Sequence, residues 1–241
     1  MRVLAIETVE TTGSVALLED ECLVAERPLD PQGRSAQTLA PGIEQLLAEA
    51  RWRAGDVELA AVATGPGSFT GLRIGVTTAK VFAYAAGCQV IGVSTMSAIA
   101  SRVPQHVTHF SVILDAHRNE LFVADFSRPE GGQLVGHQTT RVVRAERWIA
   151  ELRPATVVSG PGLTKWRAQL GTAAVVVDPA LWVPTASAVG QVGWRAFAAG
   201  QRVSPFELVP QYFRRTAAEE KAEPAQRAGR SLERRRDEGR K

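Results

Sequence analysis

Apolar positions along the chain fall into short runs of strand type, separated by longer stretches in which they recur with helical period. In the first half the pattern predicts strands Arg2 to Glu7, Ser14 to Leu18 and Cys22 to Arg27, then helix Ser35 to Arg51 and strand Leu59 to Ala63. Helix Phe69 to Ala86, strand Gln89 to Val93 and helix Thr95 to Val103 complete that half. The second half repeats the order. Strands fit Phe110 to Leu114, Glu120 to Phe126 and Gln133 to Thr139, followed by helix Arg144 to Leu152, strand Thr156 to Ser159, helix Leu163 to Leu170, strand Ala174 to Val177 and helix Ser187 to Ala199.

Even the punctuation recurs, because Ser159-Gly160-Pro161-Gly162 follows the fourth strand of the second half as Thr64-Gly65-Pro66-Gly67 follows that of the first. Three antiparallel strands extended by parallel strands through right-handed crossovers give a mixed sheet with helices on its faces. The expected fold is therefore α/β, two duplicated mixed sheets of the actin-like, RNase H-like (ASKHA) type, as in actin, Hsp70 and sugar kinases. The expected division is residues 1–103, residues 104–216 and a charged, disordered tail at 217–241, with Pro104 at the boundary.

Two helices carry informative surfaces. In Ser35 to Arg51, the residues Ala36, Leu39, Ala40, Ile43, Leu46, Leu47 and Ala50 follow i, i+3, i+4, i+7 spacing and make one apolar face. In Phe69 to Ala86, the residues Gly71, Gly75, Ala79 and Ala83 form a stripe of small side chains. Glycine costs about 1 kcal/mol in a helix interior relative to alanine, so the stripe points to close packing. The pattern leaves open whether the close neighbour is the chain's own sheet or a second chain.

Composition narrows the class. The chain has 241 residues, 45% hydrophobic and 22% charged, enough for a full core. The net charge of +3 lies mostly in residues 217–241, where eight Lys/Arg meet six Asp/Glu, so the overall charge does not by itself predict a nucleic-acid-binding face. Cys22 and Cys88 lack metal or redox spacing, and reduced thiols are expected. No signal peptide or membrane span is legible, and cytoplasmic residence is the default expectation.

Candidate chemistry is sparse. The run Thr64-Gly65-Pro66-Gly67-Ser68-Phe69-Thr70-Gly71 closes a strand, turns and opens a helix. A capped structural turn is the favoured reading; the other is an anion or nucleotide loop using Thr12, Gly65, Gly67, Ser68 and Thr70. There is no Walker lysine and no Gly-x-Gly-x-x-Gly spacing. Glu7, at the end of the first strand, stands where a nucleotide-hydrolysing member of such a fold holds metal-bound water, but Glu10 puts a second carboxylate where phosphate would approach. His106, His109, His117 and His137 form no metal pair, and helix Ser35 to Arg51 contains no histidine. Asp115-Ala116-His117-Arg118-Asn119-Glu120 reads as a hairpin turn with solvated side chains. No catalytic residue, metal site or cofactor is expected.

Leu4-Ala5-Ile6-Glu7-Thr8, Gly65-Pro66-Gly67-Ser68-Phe69-Thr70-Gly71-Leu72-Arg73-Ile74-Gly75, Gly92-Val93-Ser94-Thr95, Asp115-Ala116 with Glu120, and Pro210-Gln211-Tyr212-Phe213-Arg214 resemble the bacterial TsaB (YeaZ) family over about residues 1–220. The resemblance implies a degenerate two-domain actin-like fold and a non-catalytic subunit in the synthesis of threonylcarbamoyladenosine beside the anticodon of ANN-decoding tRNAs. It implies pairing with the catalytic paralogue TsaD, whose metal-binding histidines lie on the helix corresponding to Ser35 to Arg51, with the ATPase TsaE joining the pair. tRNA would be engaged through the complex, and a homodimer would form in the absence of TsaD. The seam is expected on the first two helices, at Leu39, Ile43, Leu47, Gly71, Leu72, Gly75 and Ala79. An ATPase or peptidase of the same fold is the alternative. Departures from the family pattern are Glu7 in place of aspartate, His117-Arg118 in the second-half motif, and the basic extension after Glu223.

Overall fold

A computed structural model describes residues 1–10, 12–30, 35–129, 132, 134–136 and 139–213. Met1–Gln211 form one structural unit; a second begins at Tyr212, of which only Tyr212 and Phe213 are described. The tail expected at 217–241 lies outside the described residues, as do Thr11, Gln133, His137 and Gln138.

The first sheet contains β1 (Arg2–Glu7), β2 (Ser14–Glu19), β3 (Cys22–Pro28), β4 (Leu59–Gly65) and β5 (Gln89–Ser94), in the order β3-β2-β1-β4-β5. β3, β2 and β1 are antiparallel, while β4 and β5 continue in parallel from β1. The period-2 alternation of the sequence divides β1 cleanly. Leu4 and Ile6 face one core with Val15, Leu17, Ala60 and Val62; Val3 and Ala5 face the other with Ala16, Leu18, Leu59 and Ala61. On the first core lie α1 (Ser35–Glu49) and α2 (Phe69–Ala86), through Leu39, Ile43, Leu46, Leu47, Val76, Ala79 and Ala83.

The second sheet is built from β6 (His109–Asp115), β7 (Glu120–Ser127), β8 (Val135–Gly136), β9 (Arg141–Arg144), β10 (Thr156–Ser159) and β11 (Ala174–Val176). Its order is β11-β10-β6-β7-β8, with β9 also paired to β7. The single third strand expected at Gln133 to Thr139 is thus replaced, among the described residues, by a two-residue β8 and a separate β9. β9 earns its place through Val143, which packs on the same core as Leu121 and Val123. α4 (Ala145–Ala150) and α5 (Leu163–Leu170) cover that core with Trp148, Trp166 and Leu170.

The two remaining helices are exchanged between the halves. α3 (Thr95–Arg102) ends the first half, yet its Met96, Ile99 and Ala100 pack with Phe110, Val112, Leu114, Ala124 and Phe126 of the second sheet. α6 (Ala186–Ala198) ends the second half, and it covers the first sheet, with Ala186, Ala188 and Val189 against Val3, Ala5 and Leu18. The division at residues 103 and 104 therefore separates the two sheets but not their cores. Cutting there would strip an apolar helix from each sheet.

α6 sits low on its sheet because glycine meets alanine there. A β-carbon on Gly193 would lie 2.8 Å from Ala61 Cβ, and one on Gly190 would lie 3.0 Å from Ala5 Cβ. Polar contacts fix the helix ends. Glu26 of β3 accepts from Ser187 N at 3.0 Å and Ser187 Oγ at 2.8 Å, placing a carboxylate on the helix N-terminus. Arg195 near the other end makes paired bonds to Glu21 at 3.0 and 2.8 Å. Among the described residues no helix is long and apolar enough to cross a membrane.

Two outcomes follow for equilibrium urea unfolding. Gly193→Leu should cost about 3 kcal/mol or more, as overpacking against backbone-fixed alanine does, while Gly55→Ala, where nothing lies within 4 Å, should change stability by less than about 0.5 kcal/mol. Glu26→Ala should cost about 1–2 kcal/mol through the lost cap on α6.

Candidate functional site

The chain enters α2 through a turn that packs against itself. Gly65 has φ +122°, a conformation L side chains avoid, and a β-carbon there would lie 2.7 Å from the Gln211 carbonyl oxygen. Gln211 N in turn donates to the Thr64 carbonyl at 2.8 Å. Residues 203–211 form a strap over this edge: Val203 bridges Val90, and Leu208 is buried against Gly92. Gly67 abuts Val9, whose β-carbon would be 2.5 Å from one placed on that glycine. Ser68 N donates to the Val9 carbonyl at 3.1 Å, and Ser68 Oγ caps the helix by accepting from Gly71 N at 3.2 Å.

These contacts fit the favoured reading of a capped structural turn. Of the five residues of the anion-loop alternative, Gly65 is buried against Gln211, while Thr12, Gly67, Ser68 and Thr70 are exposed, Gly67 abutting Val9 and Ser68 capping the helix. The glycines serve the chain's own close packing. The second turn behaves alike, since Gly160 (φ +111°) packs on Ile113 of β6 and Gly162 N donates to the Ile113 carbonyl at 3.0 Å.

Glu7 ends β1 beneath this turn and is wholly buried. Its Oε1 accepts from Val9 N at 2.6 Å and Glu10 N at 3.3 Å; Oε2 is buried without a hydrogen-bond partner. Burial raises the carboxyl to about 8, with Glu10 and Glu26 adding in the same direction against the two backbone donors. Burial also pushes Glu10 up from the usual carboxylate range. At neutral pH the Glu7 side chain is mainly a neutral acid.

The expected seam is redistributed by the structure. Leu39, Leu72 and Ala79 are buried in the chain's own cores. Gly71 and Gly75 face Thr8, because a β-carbon at either would overlap the Thr8 carbonyl oxygen or Oγ1 respectively. Thr8 Oγ1 donates to the Gly71 carbonyl at 2.8 Å. The small-residue stripe is thus an internal seat for α2. Ile43 and Leu47 are buried as well, and they form the floor of a groove between α1 and α2.

That groove has a volume of about 730 Å³ and an almost wholly apolar lining, including Ala40, Ala48, Trp52, Thr77, Val81 and Ala85, with Glu44 at its side. Val81 is 62% exposed and Tyr84, one turn on, is 77% exposed. Spacing alone could have found this face. Thr77, Val81 and Tyr84 follow i, i+4, i+7 on the side of α2 opposite its glycines, and Val81 and Tyr84 there are large and exposed.

In the second half, Asp115 pairs with Lys165 at 3.3 Å and lies 3.8 Å from His117 Nδ1. His117, Arg118 and Asn119 all have positive φ and form the β6–β7 hairpin turn. His106 and His109 are exposed. Cys22 and Cys88 are free thiols. Among the described residues no group of three or more His, Cys, Asp or Glu could hold a metal ion.

Comparison with known proteins agrees with this architecture. Residues 28–159 match the family model described as TsaD, tRNA N6-adenosine threonylcarbamoyltransferase. The chain is 31% identical over 225 residues to the tRNA threonylcarbamoyladenosine biosynthesis protein TsaB of Escherichia coli (strain K12), covering 90% of this chain and 96% of that one. A crystal structure described as an uncharacterized protein with similarity to peptidase YeaZ from Pseudomonas aeruginosa superposes with a TM-score of 0.75 at 26% identity, covering 88% of this chain and 99% of that one. A structure described as YeaZ from the same organism superposes equally well at 25% identity, with the same coverage. On these grounds the chain belongs to the TsaB (YeaZ) family of tRNA threonylcarbamoyladenosine biosynthesis proteins.

Proposed function

We propose that the chain is a non-catalytic subunit that binds and activates the TsaD-type paralogue, which attaches a threonylcarbamoyl group to N6 of the adenosine beside the anticodon in ANN-decoding tRNAs. The observation that carries the reading is the apolar groove between α1 and α2, with Val81 and Tyr84 standing out beside it. A groove floored by Ile43 and Leu47 and flanked by an exposed tyrosine has the composition of an interface centre. TsaE would join the resulting pair, tRNA would be met through the complex, and without TsaD the same face would pair two copies of this chain.

Three features support a role without chemistry of its own. The glycine-proline-glycine turn is filled by Val9 and Gln211, Glu7 is buried and mainly neutral at pH 7, and α1 contains no histidine. A neutral acid closed off from solvent neither holds a metal ion nor accepts a proton from water. The enzyme alternative draws on the description of one Pseudomonas aeruginosa structure as similar to a peptidase. It requires turnover of ATP or a peptide by this chain alone that disappears in Glu7→Gln.

Partner binding is tested on the outward face. Val81→Asp and Tyr84→Ala should each weaken association with a TsaD partner by about tenfold or more, measured by calorimetry, with the urea midpoint unchanged because both side chains are exposed. Association at wild-type strength by the double variant would remove α2 from the interface. Gly75→Leu should instead unfold or destabilise the chain itself, since its side chain would enter the space of Thr8.

A further inference from the structure

The β1–β2 turn is the bed on which α2 rests. Thr8 Oγ1 bonds the Gly71 carbonyl, the Thr8 backbone fills the space a β-carbon on Gly71 would need, and Ser68 N is tied to the Val9 carbonyl. A shift of Thr8 must be transmitted to the first two turns of α2, because its backbone and hydroxyl occupy the space beside Gly71 and Gly75.

At the root of the turn is the Glu7 carboxyl, closed off from solvent. One oxygen holds Val9 N and Glu10 N and so shapes the turn; the other faces no hydrogen-bond partner. A proton on the carboxyl removes the cost of a buried charge, whereas loss of that proton leaves an anion with one oxygen unsolvated. The charges acting on it are those of Glu10 on the same turn and Glu26 on β3, both acidic. Among the described residues no basic group is one of the charges acting on it: Arg27 of β3 is bound to Glu49, and Arg102 of α3 donates to the Val183 and Ala180 carbonyls. β4 has no charged residue, the only one on β2 is Glu19 at its far end, Arg73 of α2 stacks on the Phe69 ring at the exposed surface, and Arg195 of α6 is bound to Glu21.

We propose that Glu7 is a proton-operated latch: while its carboxyl is neutral the β1–β2 turn stays closed beneath α2, and ionisation opens the turn and loosens the N-terminal half of the helix. Burial, which raises this carboxyl from 4.5 to about 8, puts the transition on the alkaline side of neutrality. The sign follows from linkage. A folded-state value above the unfolded one contributes stability that is complete below about pH 4.5, declines as pH rises, and is lost above about pH 8. Through α2 the same proton governs the face assigned above to a partner. That consequence rests on the proposed function, whereas the measurement below needs no partner and can fail without it.

The test is hydrogen exchange of the full chain at pH 6.5 and pH 9.5, corrected for the intrinsic rate at each pH. In the wild type, protection of residues 68–76 should fall at least tenfold at the higher pH, while residues 163–170 of α5 should be unaffected. In Glu7→Gln, which keeps the shape and cannot ionise, protection of residues 68–76 should be the same at both pH values. Protection that is independent of pH in the wild type, or an equal loss in Glu7→Gln, overturns the latch. A titration of the Glu7 carboxyl carbon by NMR in the wild type stands independently of any variant. A midpoint near 8 that coincides with the exchange transition supports the proposal, and a midpoint near 4.5 ends it.

Discussion

The contact that everything else accommodates is the one between Thr8 and the glycines of α2. At Gly71 and Gly75 there is no space for a β-carbon, so the helix axis lies as near the end of β1 as backbone atoms allow. This closeness places Val9 in the mouth of the glycine-proline-glycine turn and brings Leu72, Val76 and Ala79 down into the core. It also turns the other side of the helix outward. With the small residues committed to the sheet, Val81 and Tyr84 stand exposed on the opposite side.

The second constraint is the exchange of helices. α6 leaves the second half to complete the first, and α3 does the reverse, so each sheet depends on the opposite half for the cover of one face. Glycines again set the distance, with Gly190 and Gly193 against Ala5 and Ala61. Glu26 and Glu21, from the β2–β3 hairpin, then hold the two ends of α6. A chain duplicated in pattern has thereby become interlocked in packing: each half keeps one core of its own, under α1 and α2 or under α4 and α5, and shares the core on the other face of its sheet.

Much of this was legible in the sequence because strand alternation and helical period report burial directly. β1, β10, α2 and α5 have the bounds that their patterns predict, and the internal repeat was visible in the paired glycine-proline-glycine turns. What periodicity does not report is the identity of the neighbour. A glycine stripe means close approach, and it reads identically whether the approaching surface is a sheet in the same chain or a helix in another. Gly71 and Gly75, which the family resemblance implies for a seam, pack on Thr8, and α6, which the repeat places at the end of the second half, covers the first sheet. Among the described residues the strand expected at Gln133 to Thr139 is reduced to Val135–Gly136, for a different reason. Its polar, glycine-containing stretch carries too little β-branched surface, and the pairing passed to Arg141–Arg144, where Val143 could be buried.

Glycine-rich turns in actin-like folds are usually discussed as ligand-binding loops, yet the same residues serve a different end once the loop is filled from within. Here Gly65 and Gly67 are needed so that Gln211 and Val9 can enter the turn, and a turn occupied by its own chain holds the first residues of α2 in one conformation. A helix fixed at its start by Ser68, along one side by Thr8 and at its end by the left-handed Gly87 has little freedom left to lose. Ordering costs are a principal debit in association, so a surface already immobilised binds more tightly for the same buried area. The close-packed turn and the exposed groove are then two ends of one arrangement, in which glycines spent on close packing hold the start of the helix that walls the groove.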